Sequence, residues 1–180
     1  MRVIAGTLKG RTLQSPDWDG VRPTSDKLRG TLFNILAPRI EGARVLDGYA
    51  GTGAIGIEAI SRGAAHVTFV ERDRRATTLI AANMERCRIT GGYAIIQSSV
   101  LQAIDGLRRE PAFDVILLDP PYASDFQDAL PHVGDIVKPD GVVVLERARK
   151  TEPPEVAGRL RRVRDVKSGD SALTFYTCQL

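Results

Sequence analysis

An α/β fold is predicted for this chain: a mainly parallel, seven-stranded sheet, closed by an antiparallel C-terminal edge hairpin and preceded by a small N-terminal β-hairpin and helix. Three observations predict it. From residue 44 onward, short runs rich in Val, Ile and Leu alternate with segments of helical period, the pattern of βαβ units. The run VILLD at 115–119 is apolar up to its last residue, as a central strand covered on both faces must be. The tail instead alternates apolar and polar residues on either side of a Gly-containing turn at 168–170, which reads as an antiparallel hairpin.

Taken in chain order, MRVIAGTLKGRTLQ reads as a hairpin turning near Lys9 and Gly10, followed by a Pro/Asp/Gly loop at 15–23. Ser25 or Thr24 is placed to cap a helix whose buried side carries Leu28, Leu32, Phe33, Ile35 and Leu36. Strands are expected at 44–47, 66–71, 93–97, 113–119 and 141–146, with helices between them. Residues 1–43 thus form an extension on a domain spanning 44–180, and no internal repeat is evident.

The 180 residues have the length of one domain, enough to hide roughly 70% of the unfolded chain's surface. Cys87 and Cys178 lie in unrelated contexts without metal-ligand spacing, so neither a disulfide framework nor a metal is expected. No stretch approaches the roughly 20 apolar residues of a membrane span, and the start has no apolar run resembling a signal peptide. A cytoplasmic, monomeric protein is the expectation. The net charge of +3 is unevenly placed, because residues 1–43 hold seven basic and four acidic side chains while the remainder balances at 18 of each. Arg2, Lys9, Arg11 and Arg22 in that basic start are therefore candidates to contact a polyanion such as RNA.

VLDGYAGTGAIGIEA at 45–59 places glycines where a strand meets a helix, so that a ligand can approach the backbone and the helix N-terminus. Gly51, Gly53 and Gly56 spell GxGxxG, and Glu71 follows Gly51 by 20 residues at the end of the next strand, which formally matches a dinucleotide fingerprint. Asp47 favours another ligand. A carboxylate at the tip of the first strand would repel a pyrophosphate but suits the sulfonium and ammonium of S-adenosylmethionine. Glu71 serves either, since both hydroxyls of a ribose can donate to one carboxylate.

Asp119, Pro120, Pro121 and Tyr122 follow the apolar fourth strand and so stand at the carboxyl edge of the sheet, where open α/β sheets bind ligands. Two prolines in succession fix two φ angles and hold Asp119 in extended backbone, aiming its side chain and the Pro120 carbonyl into the cleft. Two such acceptors can bind both hydrogens of an exocyclic amine on a base, and they bind more strongly as its nitrogen becomes positive during methylation. An aromatic ring at Tyr122 would replace the stacking lost when the base leaves its helix.

In this order DGYAGTG, FVER and LLDPPY are similar to the class I methyltransferases that act on amino groups. More specifically, RVIAGTLKGR, VRPTSDKLRGTLFNIL, GAIGIEAISRGA and GDSALTFY resemble the RsmD family of bacterial small-subunit ribosomal RNA guanine-N2 methyltransferases, over nearly the whole chain. The resemblance implies a doubly wound, Rossmann-like class I methyltransferase fold. It implies S-adenosylmethionine contacts at Asp47, Gly48, Ala50, Gly51, Gly53, Glu71, Arg72, Ser99 and Asp119, and catalysis at Asp119, Pro120, Pro121 and Tyr122. The implied substrate is a guanine of 16S ribosomal RNA, free or in an assembling small subunit. Three positions depart from the family's usual pattern: Gly30 replaces an acidic residue, Gly48 a larger apolar one, and Ser99 an Asp or Asn that reads adenine. The rival readings are amino-methylation of DNA or other RNA, a non-catalytic RNA-binding assembly factor, and a nicotinamide-dependent oxidoreductase.

Overall fold

A computed structural model describes residues 1–18, 24–121 and 123–179, without the side chains of 123–125. The expected five parallel strands are present as β1 (Arg44–Gly48), β2 (His66–Glu71), β3 (Tyr93–Gln97), β4 (Phe113–Leu118) and β5 (Val137–Ala148). Between them lie α2 (Ala54–Ser61), α3 (Arg74–Arg86), α4 (Val100–Leu107) and α5 (Ala123–Val133), and α1 (Asp26–Ile40) precedes β1. The C-terminal hairpin is β7 (Leu160–Ser168) and β8 (Ser171–Cys178), joined across Gly169, whose φ of 59° suits a residue without Cβ. Strand order is β3-β2-β1-β4-β5-β8-β7-β6, with β5 to β8 the first antiparallel pair. The eighth strand, β6 (Val156–Ala157), has two residues and is the one member the sequence pattern does not announce, because it is too short for an alternation to register.

Neighbouring residues of a strand point to opposite faces, and the core divides accordingly. Val45, Phe69 and Leu117 share one buried cluster with residues of α1, α2 and α3, whereas Leu46, Ile116 and Leu118 share another with residues of α4 and α5. Val3 and Leu13 belong to the first cluster, so the N-terminal extension is packed into the main core.

That extension is not the regular hairpin expected. Its arms meet in one antiparallel bridge, Arg2 with Thr12, supported by Val3 N–H on the Arg11 carbonyl and Leu13 N–H on the Met1 carbonyl, each at 2.9 Å. Gly10 N–H also reaches the Val3 carbonyl at 2.9 Å, but other amides are used elsewhere. Ile4 and Ala5 donate to the buried Glu58 carboxylate of α2 at 2.8 and 3.0 Å, and Leu8 donates to Ser61 Oγ at 2.9 Å. Side chains of α2 thus satisfy donors that a second strand would otherwise pair. Asn83 of α3 continues the attachment, accepting from Gln14 N–H at 2.7 Å and donating to the Thr52 carbonyl at 3.0 Å.

Ser25, not Thr24, caps α1, accepting from Leu28 N–H at 3.2 Å. Buried on this helix are Leu28, Leu32, Phe33, Leu36 and Ile40, together with Arg29, a charge the apolar periodicity could not reveal. Ile35 is half-buried. Gly30 sits inside the helix, and a Cβ there meets nothing within 4 Å. Gly30→Ala is therefore expected to stabilise the fold by about 0.5–1 kcal/mol, from helix propensity alone. A urea titration reads this as a higher midpoint with an unchanged slope. Among the described residues no helix is long and apolar enough to cross a membrane.

Candidate active site

The register of the parallel strands builds the site. Gly48 of β1 pairs with Val70 of β2 and Leu118 of β4, and Leu118 pairs with Leu145 of β5. The residues one step further on, Glu71, Tyr49, Asp119 and Glu146, consequently form a row across the carboxyl edge of four adjacent strands. All four line a cleft of about 1080 Å³. Sequence separations of up to about a hundred residues thus collapse into one line of side chains.

The glycine loop crosses the floor of this cleft. Gly51 and Gly53 have φ of 54° and 78°, and even Tyr49 is held at 61°, so the chain turns tightly enough to bring its backbone to the cleft surface. Gly56 serves packing instead. A Cβ there would overlap the Phe69 ring, so its absence lets α2 lie close on β2.

Asp47 lies beneath the cleft rather than in its lining. Its carboxylate is buried and accepts from Gly56 N–H in the first turn of α2 at 2.8 Å. Burial pushes it well above the ordinary carboxylate range, the Gly56 amide opposes this, and the nearby Asp119 and Glu71 charges add to the rise. Thr52 Oγ1 accepts from Ala54 N–H at 3.3 Å. Two amides of the first turn of α2 are therefore already engaged within the protein, which leaves a pyrophosphate little to bind.

Glu71 fits a ribose. Its Oε2 accepts from Gly51 N–H at 2.9 Å and its Oε1 from Asp73 N–H at 2.9 Å, which orients the carboxylate. Each oxygen retains a second lone pair for a hydroxyl donor.

Ala50, Gly51, Glu71, Arg72, Ser99, Asp119, Pro120 and Pro121 all line the cleft. Gly48 and Gly53, like Asp47, are not among the lining residues. Tyr122 and Arg22 lie outside the described residues. Arg2, Lys9 and Arg11 are exposed and do not line the cleft, to which the extension contributes Met1, Trp18, Thr24, Ser25 and Lys27. Ser99 is the N-cap of α4, accepting from Gln102 N–H at 3.3 Å and donating to Gln102 Oε1 at 3.0 Å. Gly48 is matched to its surroundings, since a Cβ would come within 2.8 Å of Leu118 Cδ2. Leu118 thus occupies the space a larger residue at 48 would need.

Asp119 is held in place by contacts the sequence pattern did not disclose. Thr24 Oγ1 lies 3.0 Å from Asp119 Oδ2 and 3.1 Å from Glu146 Oε2. Burial raises the Asp119 carboxyl to about 6, partly opposed by the Thr24 hydroxyl. Thr24 read as a capping residue and Glu146 as the end of a strand. Only the register of β4 against β5 could have singled out Glu146. Among the described residues no group of His, Cys, Asp and Glu is arranged to hold a metal ion.

Comparison with known proteins bears on the family and the fold. The family model described as Conserved hypothetical protein 95 matches residues 1–177. YlbH of Bacillus subtilis (strain 168) is 36% identical over 180 residues, covering 98% of each chain. Ribosomal RNA small subunit methyltransferase D of Haemophilus influenzae is 35% identical over 150 residues, covering 81% of this chain and 78% of its own. The solved structure of yhhF from Escherichia coli superposes with a TM-score of 0.85 at 28% identity, covering 100% of this chain and 98% of the other. The chain belongs to the Conserved hypothetical protein 95 family, the RsmD-type class I methyltransferases.

Proposed function

We propose that this chain transfers a methyl group from S-adenosylmethionine to the exocyclic N2 amine of a guanine in small-subunit ribosomal RNA. The observation that carries the proposal is the placement of Asp119 and Pro120 at the end of β4, in one row with the ribose-binding candidate Glu71. The small-subunit substrate comes from the names of the relatives, and N2 of guanine from family naming.

The residues present fit the cofactor. Glu71 would hold its ribose, the backbone at Ala50 and Gly51 its amino-acid end, and Ser99 and Arg72 the rim of its adenine pocket. When bound, S-adenosylmethionine supplies a methyl group made electrophilic by the adjoining sulfonium. Everything else falls to the protein. The nitrogen lone pair of the base amine is delocalised into the ring and is a weak nucleophile. Asp119 and the Pro120 carbonyl each accept one of its hydrogens, and both contacts strengthen as the nitrogen becomes tetrahedral and positive. Asp119 is also placed to take the proton that the methylated nitrogen must lose. Its raised carboxyl makes it a better base than a solvent-exposed aspartate. Tyr122 is assigned to stack on the base, and the exposed Arg2, Lys9 and Arg11, with Arg22, to follow RNA phosphates.

The test combines purified protein, labelled S-adenosylmethionine and undermethylated small ribosomal subunits, with the product nucleosides resolved by mass spectrometry. N2-methylguanosine at a single position is the expected product. Methylated adenine or cytosine would replace the base assigned here, and RNA binding without methyl transfer would favour an assembly factor.

A further inference from the structure

The strand order β3-β2-β1-β4-β5-β8-β7-β6 divides the carboxyl edge into two halves. Gly51, Glu71 and Ser99, assigned to the cofactor, follow or end β1, β2 and β3, and Asp119, assigned to the base, follows β4. Beyond β4 the cleft is lined by Arg147 and Ala148 of β5 and by Ser168, Gly169, Asp170 and Ser171 at the tip of the β7–β8 hairpin. An RNA strand that carries the target base must leave the cleft without crossing the cofactor. The hairpin is the surface that lies on that side.

The two faces of the hairpin differ in charge. Arg162 and Asp165 of β7 pair opposite Tyr176 and Thr174 of β8, on the face that also carries Arg147. Ions neutralise one another there: Arg147 Nη2 lies 2.9 Å from Asp165 Oδ1, and Arg162 Nη1 lies 2.7 Å from Glu152 Oε1 and 3.6 Å from Asp165 Oδ2. A bulge between Arg162 and Arg164 shifts the alternation, which puts Arg161 and Arg164 together on the other face, opposite Thr177 and Phe175. The remaining hairpin residues of that face, Val166, Ser168, Ser171 and Leu173, include no acid. Arg161 and Arg164 are exposed, and among the described residues neither has an ion pair. The Arg164 guanidinium rests 5.9 Å from the centre of the Phe175 ring, a contact that leaves its N–H donors unused.

The same charge continues to the cleft. Arg149, Lys150 and Lys167 are exposed at the tip and outnumber Asp170, whose carbonyl accepts from Arg149 N–H at 2.7 Å. The short β6 pairs with Leu160 and Arg161, so from Val163 onward the outer edge of β7 has no strand beside it and its outward amides can serve a phosphate. From Arg161 to Lys167 the strand runs roughly 20 Å, enough to follow several phosphates.

We propose that the β7–β8 hairpin is a second RNA-docking surface, on which Arg161 and Arg164 bind phosphates of the strand flanking the target nucleotide and Arg149, Lys150 and Lys167 receive that strand at the cleft rim. The proposal rests on the RNA-methylation reading and adds the path of the substrate's backbone. Such contacts fix position and register, and leave base choice to the cleft. The N-terminal extension docks on α2 and α3, beside the cofactor half, so the two basic surfaces lie on either side of the target base.

The experiment compares the wild type with Arg161→Gln/Arg164→Gln and with a control pair, Arg88→Gln/Arg109→Gln, which removes the same charge at exposed positions past the C-terminal ends of α3 and α4. Binding to undermethylated small ribosomal subunits is measured by sedimentation between about 50 and 200 mM KCl. Steady-state kinetics reads methyl transfer, and calorimetry reads S-adenosylmethionine affinity. The hairpin pair is expected to lose about 10- to 100-fold in subunit affinity at about 0.1 M salt, and the plot of log affinity against log salt should become shallower by about 1.5, as two phosphate contacts require. Its kcat at saturating subunits and its S-adenosylmethionine affinity should match the wild type, which also reports a folded cleft. Wild-type affinity and slope in the hairpin pair would overturn the proposal, as would an equal loss in the control pair, which traces the effect to net charge. Binding is read apart from turnover, so a wild type that transfers no methyl group would sink the functional proposal while the salt slope still decides the surface.

Discussion

Asp119→Ala is expected to lower kcat/KM for methyl transfer by about 10²- to 10³-fold, the usual effect of removing one preorganised group that stabilises developing charge. The S-adenosylmethionine affinity should stay near wild type, because Asp119 addresses the base while Glu71 and the glycine loop hold the cofactor. Calorimetry and steady-state kinetics on the same preparation separate the two, and an equal loss of cofactor binding would contradict the assignment. The carboxyl, raised from 3.8 to about 6, also predicts a pH profile. Transfer needs the carboxylate, so wild-type kcat/KM should fall as pH drops through about 6 and level off above it.

Stability runs the other way. A carboxyl raised on folding binds its proton more tightly in the folded state. Its favourable contribution is complete below the unfolded value near 3.8 and is lost as pH rises through about 6. Asp119→Ala should therefore gain on the wild type by about 2 kcal/mol between pH 4 and pH 8, a figure reduced from the full shift because Asp119 keeps some solvent contact. Thermal melts at the two pH values check this, and the comparison cancels any cavity left by the smaller side chain.

Gly6→Ala is expected to cost about 3 kcal/mol and to release the N-terminal loop from α2. Gly6 has φ of 81°, and a Cβ there would overlap the carbonyl group of Ser61, which belongs to the backbone of α2 and cannot rotate away. Relief requires the loop to lift. That would break the bonds of Ile4 and Ala5 to Glu58 and of Leu8 to Ser61, while the buried Glu58 keeps its contact with Arg62 at 2.8 Å. Gly10→Ala is the control. Its φ of 83° imposes a similar backbone strain, but nothing lies within 4 Å of the added methyl, so the cost should be about 1 kcal/mol. Melting curves rank the two, and limited proteolysis should cut within residues 1–14 only in Gly6→Ala. Equal destabilisation would show that backbone strain alone is responsible.

Five parallel strands, the C-terminal hairpin, the glycine loop and the DPP turn were legible in the sequence because each is written locally. Apolar runs mark strands buried on both faces, glycines mark positive φ at Gly51 and Gly53, and two prolines mark the end of β4. The cleft lining of Glu71, Asp119 and the loop backbone followed from strand ends, since a residue that ends a parallel strand is delivered to the carboxyl edge whatever its neighbours are.

The remainder depended on which distant segments meet. Asp47 had the residue type for a ligand contact, but α2 lies directly over it and the Gly56 amide takes its carboxylate. The N-terminal segment had the turn residues of a hairpin, but Glu58 and Ser61 draw its amides to α2. Gly48 has little room for a Cβ, because Leu118 fills the adjoining space. Thr24, Asp119 and Glu146 are separated by 95 and 122 positions along the chain, counted from Thr24, and no periodicity spans such distances. The sequence alone thus determined the elements and the chemistry available at their ends, because propensity and pattern act over a few residues. Which acid faces the cleft, which is consumed by a helix terminus and which pairs across a threonine was decided by strand register and by the docking of the described residues that precede β1, because only packing sets contacts between segments far apart in the chain.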